Sequence, residues 1–62
     1  MNPKGQQIYR HIKNQKDYEV IYLAEDKTND LPYIVYKECG VIGHVYVRSL
    51  DDFLSKFEEV LE

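Results

Sequence analysis

Disulfides are the first thing this chain cannot have. It holds one cysteine among 62 residues, so no internal bridge can close. That Cys and two His are too few for a zinc cage. Long apolar runs are missing as well, and none approaches the roughly 18 residues a membrane span needs. The opening Met1-Asn2-Pro3-Lys4-Gly5 carries no apolar signal core, which points away from secretion. Cations are outnumbered, 8 Lys and Arg against 11 Asp and Glu, a net charge of −3. Binding a nucleic-acid backbone normally needs a basic surface, so that partner is disfavoured. These absences describe a single cytoplasmic domain with no metal, no cofactor and no membrane partner.

What is present describes a kind of object rather than a reaction. Hydrophobic residues make up 44% and charged residues 31%, too apolar for disorder. A domain this short meets a stability problem, since below about 70–80 residues one core rarely supplies more than roughly 3–5 kcal/mol. Six tyrosines and two phenylalanines offer a remedy, because each buried ring can hide about 150–250 Å². A partner chain offers another, which leaves a small homo-oligomer open.

Hydrophobic periodicity divides the chain in two. Residues 7–12 read as a first strand, with Tyr9 and His11 on one face and Ile8, Arg10 and Ile12 on the other. The polar cluster Lys13–Asp17 turns the chain. In a second strand over 18–25, Tyr18, Val20, Tyr22 and Ala24 share one face, and Ile21 and Leu23 the other. Asp26–Asp30 makes another turn, and Pro32 marks the edge of a third strand over 33–38. Gly40 and Gly43 bracket a loop in which glycine takes positive φ cheaply. A fourth strand, 44–48, alternates with period two. Four strands joined by short turns predict an antiparallel meander.

From Ser49 the period changes. Leu50, Phe53, Leu54, Phe57 and Leu61 form the stripe of an amphipathic helix over about 50–61, capped by Ser49. Its outer face is acidic: residues 49–62 hold one Lys against five acids, whereas residues 1–48 hold seven cations against six. The simplest use of that face is to keep a small domain in solution.

Arg10 and Arg48 are the only arginines, and the guanidinium fork recognises carboxylate or phosphate in a way lysine cannot copy. With His11 they could form an anion pocket. Equally, each could pair with an internal carboxylate such as Glu19, Glu38 or Asp51. Tyr9, Tyr36 and Tyr46 could form an aromatic platform for a peptide or a base, or serve simply as core and wall. Catalysis finds little footing. Cys39 and His44 lack an orienting third group, and the paired acids Asp51/Asp52 and Glu58/Glu59 diverge on a helix. Gly40-Val41-Ile42-Gly43 lacks the tail of a phosphate loop.

Tyr9-Arg10-His11 with Lys13, then Tyr18, Val20, Ala24, Val35-Tyr36, Val47-Arg48 and Phe53, resembles the small bacterial family catalogued as domain of unknown function 1653. That family typically reads Gly-x-Tyr-Arg-His-x-Lys-Gly early and Trp-Val-Arg-Pro-x-x-Met-Phe late. This chain departs at Asn14 (for Gly), Tyr46 (for Trp), Ser49 (for Pro) and Asp52 (for Met). The resemblance implies a compact SH3-like β-barrel with a C-terminal helix, and no chemistry.

The expected fold is therefore mainly β (α+β): a small SH3-like antiparallel barrel or a strongly bent four- to five-stranded sheet, with one C-terminal amphipathic helix. The expected function is a non-catalytic binding module. It would recognise a protein segment or a small anionic ligand through Tyr9, Arg10, His11, Tyr36, Tyr46 and Arg48. The alternative is a nucleic-acid accessory module stacking bases on the same side chains.

Overall fold

Polar turns set the strand ends. In the computed structural model, which describes residues 7–60, Asn14 Oδ1 accepts the Lys16 N–H at 2.8 Å while Gln15 takes φ 61°. Asp26 Oδ1 accepts the Thr28 N–H at 2.8 Å, and Asn29 Oδ1 accepts that of Leu31 at 3.1 Å. Such local bonds are how Asn and Asp turn a chain. The elements between are β1 (Ile8–His11), β2 (Asp17–Asp26), β3 (Leu31–Glu38), β4 (Tyr46–Ser49), α1 (Leu50–Lys56) and β5 (Phe57–Glu59). The strands form one antiparallel sheet in the order β4-β3-β2-β1-β5. The sheet is open, with β4 and β5 at its edges, so the five strands of the expected SH3-like barrel do not close on themselves.

Two sequence expectations are corrected here. The helix does not run from 50 to 61. It stops at Lys56, where the Phe57 N–H donates to the Phe53 carbonyl, and the chain straightens into β5. β5 then pairs with β1, setting Phe57 opposite His11, Glu58 opposite Arg10 and Glu59 opposite Tyr9. The reason is the edge of β1. Without β5 its backbone groups on that side would lack strand partners, and unpaired edges are a liability. Leu54, expected on the buried stripe, is exposed, and Leu61 lies outside the described residues.

The second correction concerns β2. Val20 pairs with Tyr36, yet Tyr22 pairs with Val35, so Ile21 is an extra residue. This bulge reverses the alternation. Val20 is fully buried, whereas Tyr22, expected on the same face, is 68% exposed on the opposite one. At the other strands the differences are small. β4 begins at Tyr46, so His44 and Val45 belong to the connection, in which Gly40 and Gly43 take φ 80° and 100°. Pro32 lies inside β3 but beyond the last β3–β4 pair, Tyr33 with Ser49, where no bond to β4 is at stake.

The buried side chains gather on one face. Tyr9, Val20, Ile34, Tyr36, Phe53 and Phe57 form the core, with Tyr18 and Leu50 packed against it. Phe53 from α1 stacks on Phe57 at 4.3 Å and meets Tyr9 and Tyr36 edge-on at 5.2 and 5.3 Å. Each such pair contributes about 0.5–1.5 kcal/mol beyond its area. Rings thus answer the small-domain problem.

Candidate binding site

α1 has seven residues and covers only part of the sheet face it packs on. Register brings His11, Tyr18, Tyr36, Tyr46, Arg48 and Phe57 onto that same face. With Asn14 from the first turn they line a cavity of about 240 Å³. His11 and Arg48 also wall a second concavity of about 460 Å³, whose other sides are Ile12, Lys13, Ser55 and Lys56. Among the described residues, no Asp or Glu lines either space.

Arg48, His11, Asn14 and Tyr18 are held by neighbours. Arg48 Nε donates to Tyr36 Oη at 2.7 Å and Nη1 to Asp52 at 2.6 Å. Its guanidinium carbon lies 5.7 Å from the centroid of the Phe57 ring, within cation–π reach. Among the described residues, Nη2 has no hydrogen-bond partner. The bonds to Asp52 and then Tyr36 push the Arg48 pKa up, so the charge is permanent. At His11 the Asn14 N–H donates to Nδ1 at 3.3 Å. In the neutral ring this leaves the proton on Nε2 as a donor, unpartnered among the described residues. The His11 ring stands edge-on to Phe57 at 4.8 Å. Asn14, its Oδ1 already occupied, donates Nδ2 to Tyr18 Oη at 3.4 Å. The cavity is therefore aromatic in its walls and rich in donors.

Asp52 holds this arrangement from outside. It takes Arg48 and Lys56 together, the latter at 2.9 Å. Its carboxyl sits below the usual 3.8, first through Lys56 and then through Arg48. A carboxyl whose pKa is lowered by folding stabilises the fold above its unfolded pKa, and that contribution fades as pH falls through the folded value. Asp52→Asn is expected to melt below wild type at neutral pH, with the gap closing below about pH 4. Thermal melts across pH 7 to 2 check this, and a gap that persists into acid would count against it.

Of the six residues expected at a site, His11, Tyr36, Tyr46 and Arg48 share the cavity. Tyr9 does not. It is buried beneath Phe53, and burial raises its hydroxyl pKa, with Glu59 adding to the effect. Arg10 lies on the opposite sheet face, where Nε meets Asp17 at 2.9 Å, so no pocket of Arg10, His11 and Arg48 forms. Both arginines end on carboxylates, though on Asp17 and Asp52 rather than the three expected. Sequence reasoning does not single out Asn14, Tyr18 or Phe57 as site residues. Tyr18 joins the site through strand pairing, standing across the ladder from Tyr9.

Elsewhere the chemistry is thin. Partial desolvation and the nearby Glu19 and Asp17 push the Cys39 thiol up, away from a reactive thiolate, although the residue is exposed. Glu58 and Glu59 diverge on a strand, not a helix. Among the described residues no group of three His, Cys, Asp or Glu is placed to hold a metal ion, and no helix is long and apolar enough to cross a membrane.

Fold and cavity together define a small β module: one open antiparallel sheet, a short helix over part of one face, and an aromatic, arginine-bearing hollow beside it. The chain belongs to the family described as Protein of unknown function (DUF1653), which matches residues 7–61. No curated protein and no solved structure gives a match.

Proposed function

We propose that this domain is a non-catalytic binding module that takes a small anionic ligand against Arg48 in the aromatic cavity. One observation carries the reading. In a chain with more acids than bases, the cavity walls hold Arg48, His11 and Asn14 as donors and, among the described residues, no carboxylate. Burying an anion costs free energy unless charge-assisted hydrogen bonds replace its water, and the Arg48 Nη2 and His11 Nε2 groups can supply them. Tyr18, Tyr36, Tyr46 and Phe57 give the ligand's apolar body a surface to stack on. An anionic side chain of a protein segment would use the same contacts. A cytoplasmic setting suits the exposed, unpaired Cys39.

Benzoate is a minimal probe. It is expected to shift the NMR resonances of His11 and Tyr46 in a saturable way. Arg48→Ala is expected to weaken it at least tenfold, as loss of a hydrogen bond to a charged group implies. Tyr46→Ala, at a ring already 44% exposed, should weaken it without harming the fold. Shifts that ignore both substitutions would overturn the proposal. Tight, steeply salt-dependent binding of single-stranded DNA at the same residues would instead favour the nucleic-acid alternative.

A further inference from the structure

We infer that the ligand is an aromatic ring bearing a phosphate monoester, its ring in the 240 Å³ cavity and its phosphate in the adjoining 460 Å³ concavity. This rests on the anion-binding reading above and adds the chemical class. The two spaces share Arg48 and His11 among their lining residues, so each presents the same two donors to a ligand. They differ in character. One is walled by four aromatic rings besides His11; the other carries Lys13 and Lys56, with Ser55 beside them, its hydroxyl donating to the Asp52 carbonyl at 2.8 Å.

Charge then selects the anion. Arg48, Lys13 and Lys56 bring three positive charges to the second concavity. Asp52, bonded to Arg48 and Lys56, offsets one of them. Lys13 has no hydrogen bond or ion pair among the described residues. The remainder matches a phosphate monoester, which carries roughly −1.5 to −2 at neutral pH, better than a carboxylate with a single charge. The depression on the other side of Arg48 is less suited, because Asp52 itself lines it.

Phenyl phosphate, benzoate and inorganic phosphate, titrated into the whole chain by calorimetry and NMR, test the assignment. Phenyl phosphate is expected to bind at least tenfold more tightly than benzoate or inorganic phosphate. Lys13→Ala, in an exposed turn, is expected to cut the preference for phenyl phosphate over benzoate severalfold. Equal affinity for phenyl phosphate and benzoate, or a preference that Lys13→Ala leaves intact, would overturn the phosphate assignment while anion binding stood. No binding by any of the three would remove both. Capped phosphotyrosine and adenosine monophosphate, run alongside, separate a peptide source from a nucleotide source by which of them binds more tightly.

Discussion

Phe53→Ala is expected to abolish the cooperative thermal transition. The side chain is fully buried and meets Tyr9, Tyr36 and Phe57. Truncating a buried Phe typically costs about 3–5 kcal/mol, and a domain this short rarely holds more than roughly that in total. Folded and unfolded forms would then be comparably populated at room temperature, and the melt followed by circular dichroism would lose its native baseline. Phe53→Leu, which keeps most of the buried volume, should retain a transition at lower temperature. Sharp melting of the Phe53→Ala chain near the wild-type temperature would mean that α1 is not part of the core.

Ending the chain after Lys56 is expected to be equally damaging, for a different reason. The cut keeps every residue of α1 but removes Phe57, whose N–H caps the helix and whose ring joins Phe53, Tyr18, Tyr36 and His11. It also removes one of the two strand partners of β1, including the bond from the Val60 N–H to the Ile8 carbonyl at 3.0 Å. Core and sheet edge are lost in one step. Amide NMR spectra of the shortened chain should collapse toward the narrow dispersion of an unfolded peptide. Native-like dispersion would show that β5 adds little to the fold.

The contrast between Phe53 and Phe57 shows how far the sequence can be read. Leu50, Phe53, Leu54 and Phe57 satisfy a helical period, and nothing local says that the fourth of them belongs to a strand. That outcome depends on the open edge of β1, far earlier in the chain. Ile21 is a second case. A bulge adds one residue without altering composition, so strict alternation places Tyr22 and Ala24 correctly relative to each other and wrongly relative to Val20. Where no extra residue intervenes, period two suffices, and it separates Tyr9 and His11 from Arg10 as the structure does. The cavity is legible to the same degree. Residue type alone points to His11, Tyr36, Tyr46 and Arg48, but Asn14 and Phe57 reach the site through turn geometry and strand pairing. The partners of the arginines are hidden similarly. Asp17 reads as part of a turn, and Asp51 and Asp52 cannot be told apart until the helix start fixes which one lies a turn beyond Arg48.

Tyr36 and Phe57 belong at once to the hydrophobic core and to the cavity wall. Occupancy and folding are therefore linked quantities in this molecule. A ligand that binds only the native form adds roughly 2.7 kcal/mol when present at about a hundred times its Kd, a sizeable share of what so short a chain can hold. Heat resistance becomes a sensitive meter of anything that enters the hollow, so a plain thermal-shift assay against a collection of small anions tests the proposed binding directly.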